Sequence, residues 1–312
     1  MTTRRLPVAP LFVPLKPYTE AAELERRCPG TQSIFACDFY VTGAEHGVLE
    51  PGGLRLGRIL NVDHHAPHLR MRQPVTSTVL AHEYLIAGGR ADPSSCVVIH
   101  HTDCDSILSS AMLLGNLPPD PDLVAASIAA DHTGEEHPIA DLLQAIDEGR
   151  RGHRTAEQYL ESLRAVENLF SGEPSGDKVT EALDRRRTRR AAAHELISQG
   201  RFERGDGVAF AVCDQSIDSA FFSALLPEAA VIMVACPNVA HPDRWTIKLR
   251  LGQGAAPGFT LQSLGVTEWD PCFGGRWNAG SNGRGGGTER EPAEYAELLR
   301  ASVRRTADTL PD

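Results

Sequence analysis

The sequence predicts an α/β protein built on a doubly wound, mainly parallel sheet, followed by a second, smaller α/β domain for substrate binding. Short apolar runs alternate with helix-like segments in the first half of the chain, which is typical of parallel sheets covered by helices. A length of 312 residues suits two domains. We expect a catalytic domain over 1–150, a helical connector over 151–204 and the second domain over 205–312.

Three apolar runs of the first domain end in acidic or imidazole residues. They are SIFACDFY at 33–40, RILNV at 58–62 before the DHH triplet, and CVVI at 96–99 before two histidines. Since the carboxyl ends of parallel strands meet at one edge of a sheet, we expect Asp38, His64 and Asp103 to gather there. Mixed imidazole and carboxylate sets suit divalent first-row ions, so this edge is a predicted metal site.

Helices are predicted between and after these runs. Their expected ranges in the first domain are 76–87, 106–114 and 122–130. Gly88 and Gly115 follow the first two, and glycine commonly ends helices because it accepts a left-handed conformation. Asp120 with Pro121 forms a cap and first-turn pair for the third, which delivers Asp131.

The connector and the second domain have their own signals. Thr155 and Gln158 form a capping-box pattern, and an arginine-rich helix follows to about Gly200. The expected elements after it are strands over 207–212, 230–235 and 244–251, and helices over 219–226 and 292–303. The RWTIKLRL run at 244–251 alternates, which predicts a half-buried strand with a basic outer face.

Composition excludes several classes of function. The net charge of −10 argues against binding to long nucleic acids, which needs an excess of cationic side chains. Seven cysteines without a CxxC pair argue against a disulfide framework and favour a reducing cytoplasm. Prolines interrupt residues 7–17, and no apolar run approaches 18 residues, so we expect neither a signal peptide nor a membrane span.

Four segments resemble the motifs of the DHH phosphoesterase superfamily and its associated C-terminal domain. They are VDHH at 62–65, HHTDCDSILSSAM at 100–112, IAADHTG at 128–134 and FGGRWNAG at 273–280. The order is rearranged, because in most members the Asp-x-Asp motif precedes DHH. The resemblance implies metal ligands at Asp38, His64, His100, Asp103, Asp105 and Asp131. Asp38 would bridge two cations, and His101 remains an alternative to His100.

The resemblance also implies roles around the substrate. His65 would face the phosphate as a catalytic residue, and Asp63 would orient a histidine. The glycine-rich stretch at 274–287 can bring backbone amides and arginines close to an anion. The residues predicted to bind substrate are His65, Arg276, Arg284, Gly274, Gly275 and Asn278. The family usually has histidine where Arg276 stands, so substrate or specificity can differ, and Arg276 is also predicted to be catalytic.

Together these residues predict a hydrolase that uses two Mn²⁺ ions, with Mg²⁺ or Co²⁺ as alternatives, to activate water against a phosphate ester. The expected substrate is a small nucleotide or a short oligonucleotide. A phosphatase or pyrophosphatase acting on a small metabolite, and a non-catalytic nucleotide-sensing protein, remain alternatives. The expected partner is a small phosphorylated, nucleotide-like molecule, without long nucleic acid or membrane, and a homodimer is compatible with the sequence.

Overall fold

The computed structural model describes residues 8–14, 19–65, 74–92, 94–149 and 155–308. Parts of the predictions on residues 1–17, the end of the NVDHHAP segment at 66–67 and the boundary at 150–151 lie outside the described residues. The chain divides into two units. The first runs to Asp131 and resumes over Glu136–Arg186, and the second contains His132–Glu135 and the chain from Arg187. The three-part division into 1–150, 151–204 and 205–312 remains a prediction.

The first unit alternates strands and helices. Its described strands are β1 Leu11–Phe12, β2 Thr19–Glu20, β3 Ser33–Cys37, β4 Val41–Thr42, β5 Val48–Glu50, β6 Gly53–Leu56, β7 Ile59–Val62 and β8 Ser95–Ile99. Its described helices are α1 Ala21–Arg27, α2 Ser77–Ile86, α3 Cys104–Leu113, α4 Pro121–Ile128, α5 Pro138–Gly149, α6 Ala156–Ser171 and the first part of α7 Asp177–Ser198. The helices predicted over 76–87, 106–114 and 122–130 are confirmed as α2, α3 and α4, and so is the capping box at Thr155.

The main sheet of this unit has the strand order β1-β8-β3-β7-β6-β5. The neighbouring strands β1, β8, β3 and β7 are parallel, and β6 and β5 pair antiparallel at the edge next to β7. The chain places β7 on one side of β3 and then β8 on the other side. Strand order therefore changes direction at β3, and such switch points are where open α/β sheets bind ligands.

Helices cover both faces of this sheet. Phe35 and Cys37 of β3 belong to an apolar core with residues of α2 to α6, including Leu80 and Ile107. The alternate residues of β3 point to the opposite face, where they form a second core with Leu24 of α1. Because side chains alternate along a strand, β3 is buried on both sides, and the predicted doubly wound α/β fold is confirmed.

The second unit is built on a mixed sheet. Its described strands are β9 Glu203–Gly205, β10 Val208–Val212, β11 Val231–Pro237, β12 Trp245–Leu251, β13 Gly274–Gly275 and β14 Ala279–Ser281, and its helices are the end of α7, α8 Val266–Trp269 and α9 Pro292–Ala307. The order is β13-β14-β12-β11-β10-β9. The pair β10–β11 is parallel, and the other described pairs are antiparallel.

Three predictions in this unit need correction. The helix expected over 219–226 is a short 3₁₀ turn at Ser219–Phe222. The basic face of β12 is not fully exposed, since Arg250 is buried and Lys248 is only partly exposed; β12 pairs with β11 and β14 along its two edges. The glycine-rich stretch includes a β-hairpin and is not a simple loop. Within the described residues, no helix is long and apolar enough to cross a membrane.

Candidate metal centre

Three neighbouring parallel strands end at one edge of the first sheet. Cys37 of β3 pairs with Val62 of β7, and Ala36 pairs with Val98 of β8. The residues that follow these strands therefore emerge side by side. This topology brings Asp38, the DHH triplet and the two histidines after β8 to the same place.

Asp38 has a backbone conformation that is unusual for its residue type. Its φ of 60° is left-handed, which costs a non-glycine residue on the order of 1 kcal/mol. Its N–H donates to Val62 O at 3.0 Å. The Asn61 side chain fixes the next residues, because its Nδ2 donates to Phe39 O and its Oδ1 accepts from the Val41 N–H. These contacts hold the fully buried Asp38 carboxylate in one direction.

The two carboxylate oxygens of Asp38 face different groups. Oδ1 lies 3.5 Å from His64 Nε2 and 3.5 Å from His65 Nδ1. Oδ2 lies 2.9 Å from His101 Nε2 and accepts a 2.6 Å hydrogen bond from Ser106 Oγ. Asp38 is therefore placed between two sets of candidate ligands.

Asp105 is fixed by the first turn of α2. Oδ2 accepts from the Ser77 N–H, and Oδ1 accepts from the N–H and the hydroxyl of Thr78, each at 2.7 Å. Such an arrangement satisfies amides at the helix start and is favoured by the helix dipole. Oδ2 also lies 3.5 Å from His64 Nε2, so the same carboxylate is available to a cation.

Asp103 and Asp131 complete the carboxylates of the site. Asp103 caps α3 by accepting the Ser106 N–H on Oδ1 at 3.0 Å, while its Oδ2 lies 3.0 Å from His101 Nε2. Asp131 lies in a π-helical turn, Ala129–Thr133, a feature that is frequent at functional sites. Its Oδ2 lies 3.2 Å from His64 Nε2.

The two histidines after β8 point to different places. His101 presents Nε2 to Asp38 and Asp103, whereas the His100 ring stacks on Phe39 with a centroid distance of 4.7 Å. The Nδ1 atoms of His100 and His101 are in hydrogen-bond contact. The geometry thus favours His101 over His100, the residue predicted first, as the candidate ligand.

His65 is paired with Asp63. Its Nδ1 lies 2.6 Å from Asp63 Oδ1, and Asp63 is almost fully buried. Burial acts to raise the pKa of Asp63, but the charge of His65, its hydrogen bond and the charge of His64 together outweigh burial and lower this pKa. Asp63 therefore sets the orientation of the His65 ring.

Burial and charge crowding dominate the electrostatics. Burial and the charge of Asp38 raise the pKa of Asp105 to about 8. Burial acts to lower the pKa of His64, but its contacts with Asp131 and Asp38 outweigh burial and raise it well above the ordinary value. For comparison, two like charges 4.8 Å apart repel by about 3.5 kcal/mol at an effective dielectric constant of about 20. Bound protons or a cation must offset this repulsion.

In the part of the chain that the structure describes, three groups of side chains could hold a metal ion, and each places its ligand atoms within 4.8 Å of one another. They are Asp38–His64–His65, Asp38–His64–Asp105–Asp131 and Asp38–His101–Asp103. All three share Asp38. Among the described residues, its buried Oδ1 has no hydrogen-bond partner. The donor set and this oxygen fit a divalent cation.

Apart from His65, the residues predicted to bind substrate lie in the second unit. Gly274 and Gly275 pair with Ser281 and Gly280 across a hairpin, and Arg276 and Asn278 are in its turn. Glycine is needed at 275, since a Cβ would lie 2.3 Å from Gly280 Cα. Arg276 is exposed, and its N–H donates to Ala279 O at 2.7 Å. Exposed Arg284 lies in the 3₁₀ turn that follows.

A buried polar network anchors this hairpin. Asp270 Oδ2 accepts from Asn282 Nδ2 at 3.0 Å and from the Tyr295 hydroxyl at 2.9 Å. Asn282 Oδ1 accepts from the Ile247 N–H of β12 at 2.7 Å. The chain after β14 is therefore tied to β12 and to α9, which fixes the segment that carries the two arginines.

Sequence reasoning missed the residues that hold the carboxylates. Ser106 contacts Asp38, and Ser77 and Thr78 contact Asp105, yet none of the three was singled out. The signals were present as the serine directly after Asp105 and as the serine and threonine at the predicted start of α2. The contacts of these three side chains depend on strand order, which the sequence pattern does not reveal.

Comparison with known proteins does not identify a family for the chain. No family model matches the chain, and no curated protein matches it. Among solved structures, the chain is similar to a pGpG-specific phosphodiesterase, PggH from Vibrio cholrae, at 11% sequence identity and a TM-score of 0.44, over 81% of each chain. We therefore base function on the geometry of the site.

Proposed function

We propose that the chain is a metal-dependent hydrolase of phosphate esters that acts on a small nucleotide or a short oligonucleotide. The single observation that carries this proposal is the position of Asp38, whose two oxygens face different sets of candidate ligands. A carboxylate shared by two sets suits a pair of divalent cations. The carboxylate-rich donor set favours Mn²⁺, with Mg²⁺ and Co²⁺ as alternatives.

The proposed ligands are six side chains of the first unit. They are Asp38, His64, His101, Asp103, Asp105 and Asp131. His101 replaces His100 because its Nε2 lies beside Asp38 and Asp103. His100 becomes an orienting residue, since the Nδ1 contact lets His101 donate its second N–H, as ligating imidazoles usually do. Cations bound in this way would lower the pKa of water and stabilise charge on the phosphoryl oxygens.

Side chains and backbone amides of the protein would bind the substrate and supply a proton to it. Asp63 engages Nδ1 of His65, which assigns the contact with phosphate to Nε2 of the same ring. From that atom His65 would donate a proton to the leaving oxygen as a general acid. In the second unit, the Arg276 fork would recognise phosphate oxygens through paired hydrogen bonds, together with Arg284, Asn278 and the backbone amides of Gly274 and Gly275.

Turnover of a substrate panel by the full chain tests this proposal. After removal of metals by a chelator, the protein is supplied with Mn²⁺, Mg²⁺ or Co²⁺ and offered linear and cyclic dinucleotides, mononucleotides, pyrophosphate and phosphorylated sugars. We expect hydrolysis only with added metal and fastest on a nucleotide diester. Release of a nucleoside monophosphate or of inorganic phosphate then separates diester from monoester chemistry.

One test variant and one matched control variant check the role of Asp38. Asp38→Asn should reduce metal-dependent turnover at least ~100-fold, because outer contacts to metal ligands alone are worth about 10–100-fold. Asp92→Asn, which changes an exposed aspartate of the same unit, should retain activity. Binding of Mn²⁺ and of nucleotides without turnover of any substrate would contradict the hydrolase and favour a sensor. A protein that binds none of the three metal ions would contradict the proposal as a whole.

A further inference from the structure

Cys28 and Cys96 lie side by side in the first unit, although 68 residues separate them in the chain. Their Sγ atoms are 2.8 Å apart, and both cysteines are free. Cys28 follows the last residue of α1, and Cys96 is the second residue of β8. The pair is therefore at the opposite end of β8 from His100 and His101, and the proposed hydrolase does not use it.

The surroundings favour reaction at this pair. The Arg58 guanidinium donates to the backbone oxygens of Cys28, Thr31 and Glu25 at 2.9 to 3.0 Å, which places a positive charge around Cys28. Positive neighbours favour the reactive thiolate. The hydrogen bond from Cys96 and the charge of Arg58 lower the pKa of Cys28. Cys28 is buried and Cys96 beside it is partly exposed, so a small oxidant can reach the Cys28 sulfur only from the side of Cys96.

We propose that Cys28 and Cys96 are a peroxide-sensitive dithiol that closes to a disulfide. The Cys28 thiolate attacks one oxygen of hydrogen peroxide, the O–O bond breaks, and the leaving hydroxide takes a proton and becomes water. The Cys96 sulfur then attacks the resulting sulfenic acid, the S–S bond forms, and the S–O bond breaks to release a second water. Two thiols are oxidised by two electrons, and the peroxide is reduced to two waters.

The new bond would tie the two ends of a functional segment. Residues 28–96 contain β3 and β7, and so carry Asp38, His64 and His65. Closing such a long loop reduces the entropy of the unfolded chain. The oxidised protein should therefore unfold at a higher temperature, by at least ~3 °C.

The test treats the full chain with hydrogen peroxide, then denatures it and counts thiols by alkylation and intact mass. We expect the wild type to lose two of its seven thiols with a mass decrease of about 2 Da, and to regain both with dithiothreitol. Peptide mapping must fragment the products, because the tryptic peptides with Cys28 and Cys96 also contain Cys37 and Cys104.

Three variants make the result decisive. In Cys28→Ser and in Cys96→Ser, peroxide should no longer remove a pair of thiols, and the unfolding temperature should not rise. The matched control Cys272→Ser, which changes a partly exposed cysteine of the second unit, should behave like the wild type. Seven intact thiols after oxidation, a gain of oxygen mass in place of a disulfide, or an unchanged effect in Cys96→Ser would each overturn the proposal. Cys96→Ser decides the outcome should Cys28→Ser fail to fold.

Discussion

Ser106 Oγ donates a hydrogen bond of 2.6 Å to Asp38 Oδ2, and both side chains are fully buried. Ser106→Ala removes this donor, so the carboxylate between the two ligand sets is less firmly oriented. We expect metal affinity or metal-dependent activity to fall about 10–100-fold. Titration calorimetry with Mn²⁺ measures the affinity directly.

Ser109→Ala is the matched control for this prediction. Ser109 lies on the same helix, is equally buried, and donates to the backbone oxygen of Asp105. Each substitution should cost about 1 kcal/mol of stability, but the Ser109 variant should bind metal normally. Equal metal affinity in the two variants would show that Ser106 does not position Asp38.

The choice between His100 and His101 can be measured. His101→Ala removes the Nε2 atom near Asp38 and Asp103, so we expect it to weaken Mn²⁺ binding by at least ~100-fold. His100→Ala removes an orienting contact and a ring stacked on Phe39, and should weaken Mn²⁺ binding less than His101→Ala does, by about 10-fold. The reverse ranking would restore His100 as the ligand.

Stability of the metal-free protein should depend on pH. The pKa of Asp105 is raised to about 8 by burial and the charge of Asp38, so its protonated form stabilises the fold. That contribution is complete below the ordinary pKa of 3.8 and is lost as pH rises through 8. The pKa values of His64 and His101 are also raised. Their protonated forms therefore stabilise the fold as well, and this stability falls as the pH rises above 6.5.

We therefore expect the metal-free protein to unfold at a higher temperature at pH 5 than at pH 8, by at least ~3 °C. Because metal must displace protons from its ligands, Mn²⁺ should raise the unfolding temperature more at pH 8. Asp105→Asn removes one titrating group and should flatten the dependence. Identical unfolding temperatures at both pH values would contradict the protonation of this cluster.

Arg276 should act in substrate binding. The residue is exposed in the turn of a hairpin whose backbone is fixed to neighbouring strands. Arg276→Ala should raise KM about 10–100-fold with a smaller change in kcat, since a charged hydrogen bond is worth about 1.5–3 kcal/mol. Arg276→Lys keeps the charge but loses the planar fork, and should show an intermediate KM.

Arg290→Ala is a control for charge, because it removes one cation from the same unit where Arg290 pairs with Glu294. Its KM should match the wild type. If all three variants have an unchanged KM, Arg276 takes no part in recognising the substrate.

Much of the architecture follows from local pattern. The apolar runs at 33–40, 58–62 and 96–99 form β3, β7 and β8, and the glycine-terminated helices lie where periodicity puts them. The apolar run at 219–226 does not form the predicted helix and begins with a 3₁₀ turn at Ser219–Phe222, because so short an apolar run does not distinguish a helix from a turn. Arg250 was misplaced because alternation reveals two faces of a strand but not what covers them.

By itself, the sequence determined which residues end the strands, and so which carboxylates and imidazoles are presented at the edge of the sheet. Tertiary structure alone decided that β3 lies between β7 and β8, that His101 turns toward Asp38 while His100 turns toward Phe39, and that Ser106 and Thr78 hold the two most buried carboxylates. The physical reason is the separation along the chain over which each interaction acts. Periodicity and capping act over a few neighbouring residues, whereas these contacts join side chains that are 27 to 68 residues apart and exist only after the strands have paired.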